Sequence, residues 1–304
     1  MAVYKNVHEL VGKTPLVQLE AFPLPEGVHL YAKCEFFNPG GSVKDRLGEK
    51  LVREALQSGT LKPGGTLIEP TAGNTGIGLA LAAIGKGIKV IFCVPEKFSI
   101  EKQIIMKALG AEIVTTPTEL GMTGAIAKSR ELAQSIEGGY CPNQFANPDN
   151  PAAYTETLGP EIWEDLNGKV DVLVAGAGTG GTFTGTAEYL KAKNPDVKTI
   201  VVEPVGSILN GGTPAEHRTE GIGMEFIPSF VKTEYFDGIY TVSDEDAFRR
   251  LKEAARKEGL LIGSSSGSAL HAALLEAERS RKGTNIVVIF PDSSERYLNE
   301  HIYS

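Results

Sequence analysis

No run of roughly 18 consecutive apolar residues occurs in this 304-residue chain, so a membrane-spanning helix is not expected. The most apolar stretch, 77–94, is interrupted by Lys86 and Lys89. The opening residues MAVYKNVHELVGKTP contain no apolar core of a secretory leader. Cysteine is scarce. Cys34, Cys93 and Cys141 lie far apart and form no CxxC pair, which excludes a disulfide frame or a zinc site. They read as buried thiols of a reducing compartment. Positive charge is also short: 30 Lys and Arg face 38 Asp and Glu, a net charge of −8. That balance argues against nucleic acid or an anionic membrane as partner, since both need a basic face. Internal repeats and low-complexity tracts are missing. A soluble, cytoplasmic protein is expected.

The composition is that of a folded chain, with 41% apolar and 22% charged residues. Its 35 glycines show no three-residue period, so they point to tight turns and close backbone approaches. At 100–200 residues per domain the length suggests two domains. Short β-branched runs (28–33, 66–69, 89–94, 112–116, 170–175, 198–203, 285–290) alternate with helical patterns (43–58, 76–86, 99–109, 122–136, 151–166, 182–193, 244–258, 266–279). Apolar strands with helical crossovers predict an α/β fold of two domains, each a mostly parallel twisted sheet flanked by helices. The Pro- and Asn-rich stretch 141–151 marks a boundary. Residues 46–150 are expected to form a smaller, mobile domain, and 1–45 with 151–304 a larger one.

Three glycine-rich turns and one lysine are the candidates for chemistry. In NPGGSVKDR (38–46), Ser42 reads as an N-cap, and Asp45 occupies the capping-box position. Lys44 then falls in the first helical turn. The helix dipole disfavours a cation there and favours the neutral amine that forms a Schiff base. A solvated lysine on a capped helix is the plainer alternative. In EPTAGNTGIGLA (69–80), Gly73 and Gly76 admit a ligand close to the backbone. Thr71, Asn74 and Thr75 add small donors at a helix N-terminus, which suits a carboxylate or phosphate; an ordinary strand-to-helix turn is the alternative. In VAGAGTGGTFTGT (174–186), Gly176-x-Gly178-x-x-Gly181 with Glu203 ending the next strand formally satisfies a dinucleotide fingerprint. The consecutive amides and two hydroxyls of 178–182 equally suit one phosphate monoester. LIGSSSGSAL (261–270) alone reads as a serine cap cluster. The five histidines (His8, His29, His217, His271, His301) show no partner set for hydride chemistry.

In that order, NPGGSVKDR, EPTAGNTGIGLA, GTGGT (178–182) and SSSG (264–267) resemble the β-replacement branch of the fold-type II pyridoxal-phosphate enzymes, the cysteine synthases and cystathionine β-synthases. The likeness runs from GKTPLVQL (12–19) to PDSSERY (291–297). It implies a tryptophan synthase β-like fold, pyridoxal 5'-phosphate as cofactor and a homodimer. Lys44 would carry the cofactor as a Schiff base and serve as catalytic base. Asn74 would bond the phenolic oxygen of the ring, and Ser265 would face the pyridine nitrogen. Gly178, Thr179, Gly180, Gly181 and Thr182 would hold the phosphate. Thr71, Ala72, Gly73 and Thr75 would bind the substrate carboxylate, with Gln144 nearby; Ala72 stands where the family commonly has Ser. A neutral Ser at the ring nitrogen steers the chemistry toward an aminoacrylate. PEKFSIEKQIIMKALGAEIVTTP (95–117) and EGIGMEF (220–226) resemble the compact bacterial, O-acetylserine-using cystathionine synthases. There Glu220 or Glu225, in the loop with Gly221, would pair with the ammonium of homocysteine. The expected reaction joins O-acetyl-L-serine (or L-serine) and L-homocysteine into L-cystathionine with release of acetate. Cysteine synthesis from sulfide is the alternative. An NAD-dependent oxidoreductase and a catalytically silent relative are more distant ones.

Overall fold

The computed structural model describes residues 3–71, 73–96 and 99–304. In chain order the strands are β1 (Leu16–Gln18), β2 (His29–Cys34), β3 (Thr66–Pro70), β4 (Lys89–Pro95), β5 (Glu112–Thr116), β6 (Gly139–Tyr140), β7 (Val172–Gly176), β8 (Lys198–Pro204), β9 (Gly238–Val242) and β10 (Asn285–Phe290). The helices are α1 (Lys44–Gln57), α2 (Asn74–Ala83), α3 (Ile100–Ala108), α4 (Gly121–Ser135), α5 (Asp149–Thr155), α6 (Leu158–Asp165), α7 (Gly181–Lys193), α8 (Asp244–Glu258) and α9 (Ser264–Glu278). Two compact units result, Met1–Val11 with Asn38–Asn150 and Gly12–Phe37 with Pro151–Ser304.

The first unit holds a parallel sheet of order β5-β4-β3-β6. Ile68, Ile91 and Cys93 face Ala125 of α4, with Val114, Met122 and Leu132 packed around them. Every residue of β3 is buried, which is why TLIEP carries no polar alternation. The second unit holds a sheet of order β1-β2-β10-β7-β8-β9. It is parallel except for β1, which pairs antiparallel with β2 at the edge. Leu30, Val174, Val202 and Val288 pack against Ala269, Ala272, Ala273 and Ala277 of α9. The alanines bring that helix close to the sheet, and each large aliphatic side chain buried this way contributes about 1.5–3 kcal/mol.

The expected α/β class is therefore observed, with two local differences. The single helix expected over 151–166 is two, α5 and α6. The hydroxyls of Thr155 and Thr157 donate back to the carbonyls of Pro151 (3.2 Å) and Ala153 (2.6 Å), and Thr157 leaves helical geometry at φ −128°. β1 and β6 carry too few residues to show a period, and β9 is a partly exposed edge strand without a continuous buried run.

Candidate active site

In the first unit the site begins where α1 leans on α2. Helical backbone geometry starts at Val43, not Ser42. Ser42 Oγ accepts the N–H of Lys44 at 3.2 Å, and the Asp45 carboxylate turns back to the amide of Gly40. Ser42 thus caps the second amide of the helical turn, as expected, while among the described residues the reciprocal half of the capping box is absent, because Asp45 reaches back to Gly40 rather than to Ser42. The buried Asp45 side chain occupies the space that a Cβ on Gly40 would need, so the amide it accepts lies outside the helix. Lys44 is the first residue of α1 and is half-buried. Its carbonyl lies where a Cβ on Gly78 would come within 2.4 Å, and a Cβ on Gly48 would come within 2.3 Å of Gly78's own carbonyl. Two glycines facing each other let the helix bearing Lys44 lie directly on the helix that opens with Asn74.

The N-terminus of α2 is capped from upstream. Thr71 Oγ1 accepts the N–H of Gly76 (3.1 Å) and, at a longer 3.4 Å, that of Gly73. This leaves the Thr71 proton to donate. Thr75 Oγ1 donates to Gln144 Oε1 at 2.8 Å. Thr71, Gly73, Asn74, Thr75 and Gln144 are therefore gathered at one end of this sheet; Ala72 lies outside the described residues. Behind them the fully buried Glu69 accepts the N–H of Asn143 (2.8 Å) and of Gln144 (2.9 Å) on its two oxygens. Burial pushes its carboxyl up to about 7, opposed by these amides and by the Cys141 thiol. Cys141 and Cys34 are themselves pushed up to about 12, chiefly by burial, so neither is a thiolate at neutral pH.

In the second unit, β7 runs through a glycine loop into α7. Gly180 takes a left-handed conformation (φ +84°) as the N-cap of α7, which has no side-chain cap among the described residues. Of the first-turn amides of this 13-residue helix, that of Gly181 makes a long contact (3.5 Å) with Thr179 Oγ1, and a helix start of this kind suits an anion. Thr179 and Thr182 flank them and are buried. Gly178 is confined from outside, since a Cβ there would meet the carbonyl of Gly221 at 2.4 Å. Gly221 is left-handed (φ +85°), and a Cβ on it would stand 3.8 Å from Ser265 Oγ. The second unit therefore joins Gly178, Gly221 and Ser265 at one place, and the run Thr179, Gly180, Gly181 and Thr182 continues from it into α7.

The serine cluster differs from a plain cap. Gly263 is the N-cap of α9, and Ser264 Oγ accepts the N–H of Glu220 at 3.0 Å. Ser265 sits in the first turn of α9 and is 3% exposed. Glu220 is half-buried, whereas Glu225 is exposed. Glu203, the acidic residue of the dinucleotide reading, is fully buried. It accepts the N–H groups of Leu209 (2.8 Å) and Asn210 (3.1 Å) and the hydroxyl of Thr241 (2.9 Å). A carboxylate so occupied cannot take a ribose. Sequence reasoning missed the roles of Glu69, Gly48 and Gly78. The signal for Glu69 was present: Glu-Pro ends both β3 and β8.

Residues 7–292 match the model of the family described as "Pyridoxal-phosphate dependent enzyme". The chain is 63% identical over 303 residues to the O-acetylserine dependent cystathionine beta-synthase of Bacillus subtilis (strain 168), covering 100% of this chain and 99% of that one. It is 53% identical over 305 residues to a cysteine synthase of Helicobacter pylori (strain 26695), covering 100% of both. The crystal structure of an O-acetylserine dependent cystathionine beta-synthase from Helicobacter pylori superposes with a TM-score of 0.97 at 53% identity, again over 100% of both chains.

Proposed function

We propose, from the premise that this chain belongs to the pyridoxal-phosphate dependent enzymes, that it forms L-cystathionine from O-acetyl-L-serine (or L-serine) and L-homocysteine. The enzyme class and the cofactor follow from the family; the choice of acceptor is our reading. The observation that carries it is the 63% identity, over the whole chain, to an enzyme named for that reaction.

The residues present fit the cofactor. Its phosphate needs a concave row of amides at a helix start, and the α7 terminus offers one, built on a left-handed glycine and enclosed where Gly178 abuts Gly221. In this reading Gly178, Thr179, Gly180, Gly181 and Thr182 hold the phosphate. Ser265 would face the ring nitrogen, Asn74 the phenolic oxygen, and Lys44 Nζ would be the point of attachment. Bound there, pyridoxal phosphate supplies an electron sink for the α-carbon of the amino-acid donor.

The chain's own groups do the rest. The hydroxyl of Thr71, the backbone at Gly73 and Thr75 and the remaining Nε2 proton of Gln144 bind the donor's carboxylate, while the Thr75 hydroxyl is spent on holding Gln144. They anchor a part of the donor that does not react. Lys44 Nζ takes the proton from the donor's α-carbon and returns it to the product's. Acetate leaves from the β-carbon, and the homocysteine thiol takes its place there. Glu220 pairs with the homocysteine ammonium. In support, its backbone is pinned on Ser264, one residue from the Gly221 that adjoins Ser265. Sulfide has no ammonium for Glu220 to recognise.

Cysteine synthesis from sulfide is the second reading, favoured by the 53% identity to a cysteine synthase. Competition between homocysteine and sulfide, with O-acetylserine as donor, separates the two. Cystathionine is expected as the main product; cysteine alone would overturn the acceptor assignment. The same reading takes the enzyme as a cytoplasmic homodimer. Among the described residues no helix is long and apolar enough to cross a membrane.

A further inference from the structure

We propose that Glu69 is a positioning residue for donor recognition: by gripping the backbone of Asn143 and Gln144 it fixes the Gln144 side chain on Thr75. The inference rests on the reading above, in which Gln144 and Thr75 bind the donor carboxylate.

Three observations carry it. Glu69 has no exposed surface, and its oxygens are divided between two consecutive amides at 2.8 Å and 2.9 Å. Only a carboxylate presents two acceptors in one plane at that spacing without a competing proton. Second, Asn143 turns the chain in the left-handed region at φ +54°, which asparagine adopts more readily than other non-glycine residues. The clamp therefore grips the loop at its turning point. Third, Gln144 is fixed on every side. Its Oε1 accepts from Thr75 (2.8 Å), its Nε2 donates to the Pro70 carbonyl (3.4 Å), and its own carbonyl accepts from Asn150 (2.7 Å). Strand β3 thus delivers both the clamp, Glu69, and a rest for the amide, Pro70. Burial this deep disfavours the ionised form of the carboxyl, and the two loop amides oppose that shift.

The titratable groups around Glu69 are Cys141 on the same loop, Tyr140 on β6 and Cys93 on β4. All three are shifted upward and neutral near pH 7. Protonation of Glu69 itself puts a donor where an amide already donates, and the grip weakens.

The test is a double-mutant cycle on the holoenzyme, with Glu69→Gln, Gln144→Ala and the pair. Donor KM, kcat and the cofactor absorbance spectrum are read from each. Glu69→Gln keeps the shape but loses one acceptor, and we expect the donor KM to rise about tenfold with a smaller change in kcat and an unaltered resting spectrum. On the Gln144→Ala background the same change should add less than twofold, because its route is gone. Glu69→Asp should recover part of the KM. A normal KM in Glu69→Gln, or an equal rise on both backgrounds, overturns the proposal. If Gln144→Ala itself leaves KM untouched, the carboxylate site falls instead. Should Glu69→Gln fail to fold, wild type and Gln144→Ala are compared by pH: donor KM should climb below about pH 7 in wild type alone. Parallel profiles would overturn the proposal.

Discussion

Substituting Gly78 by alanine tests whether Lys44 is aimed by helix packing. The added Cβ would stand 2.4 Å from the Lys44 carbonyl oxygen, 2.8 Å from its carbon and 3.1 Å from the Asp45 amide nitrogen. All three are backbone atoms, so no side chain can swing aside. Ordinary contact begins at 3.4 Å, and α1 must move by about 1 Å to reach it. A displacement of that size at a catalytic group lowers the rate by about a hundredfold when geometry controls the reaction. The overpacking itself destabilises by about 1–3 kcal/mol. Steady-state kinetics of cystathionine formation should therefore show kcat falling by about two orders of magnitude while the protein stays folded in a thermal melt. Gly59→Ala is the control. Gly59 is in a left-handed conformation (φ +75°), but its Cβ would meet nothing within 4 Å, so it carries a backbone penalty without the displacement. Its expected effect is a stability loss of about 1 kcal/mol and an unchanged kcat. Equal kcat values for Gly78→Ala and wild type would show that the α1–α2 contact does not aim Lys44.

Lys44→Ala should abolish turnover and borohydride fixation of the cofactor while the melting temperature of the apoprotein stays within a few degrees of wild type; retained activity would remove Lys44 from the chemistry. Glu220→Gln should lower cystathionine formation more than cysteine formation when both acceptors compete, and an unchanged product ratio would dismiss Glu220 as an acceptor contact. Thiol titration of the native protein at pH 8 should find Cys34 and Cys141 about a thousandfold slower than a free cysteine, since both are pushed up to about 12; Cys141 is half-buried rather than buried as expected from the sequence, and rapid modification of either would contradict the upward shift. Stability should also carry the titration of Glu69. Its folded-state carboxyl is raised from 4.5 to about 7, so its favourable contribution is complete below about pH 4.5 and is lost as pH rises through about 7. The swing is about 3 kcal/mol, and Glu69→Gln should flatten the melting curve against pH across that window; an identical slope would put the carboxyl's titration elsewhere.

Much of the fold was legible because the chain repeats one physical pattern. The runs at 112–116 and 285–290 form β5 and β10 with the expected bounds, and α8 spans the expected 244–258. β10, buried from Ile286 to Phe290, shows the unbroken apolar run of a covered parallel strand, whereas β5, partly exposed at the sheet edge, shows through its β-branched residues. Strand β6, only Gly139–Tyr140, was not legible, because two residues have no period and pair only because β3 is already there. The break between α5 and α6 was hidden for a related reason. Threonine reads as a tolerated helix residue until its hydroxyl finds a carbonyl one turn back. At the site, residue types pointed to the right turns, but hydrogen-bond direction did not follow from spacing. Ser42 caps the turn that carries Lys44, as its position indicated, but Asp45 and Ser264, which looked like cap partners of their own helices, accept amides the pattern did not indicate: Gly40, outside the helix, and Glu220, 44 residues away.

The two Glu-Pro strand ends show why a local motif can carry long-range geometry. In β3 and in β8 the glutamate is the last residue before a proline that closes the strand, and both glutamates are completely buried. A strand end still paired within its sheet is a rigid point from which to hold a loop. Glu69 pairs with Phe92 of β4, and Glu203 pairs with Thr241 of β9 while its strand also adjoins β7. From that point each carboxylate accepts two consecutive amides, Asn143 and Gln144 in one unit, Leu209 and Asn210 in the other. Loop amides that would otherwise need water are satisfied by the sheet itself. The difference lies in what the loops carry. The 143–144 loop presents a glutamine bonded to a helix N-terminus, so rigidity there becomes orientation of a ligand contact. The 209–210 loop presents an asparagine whose amide is bonded to Thr241, and the same device serves only to close the turn.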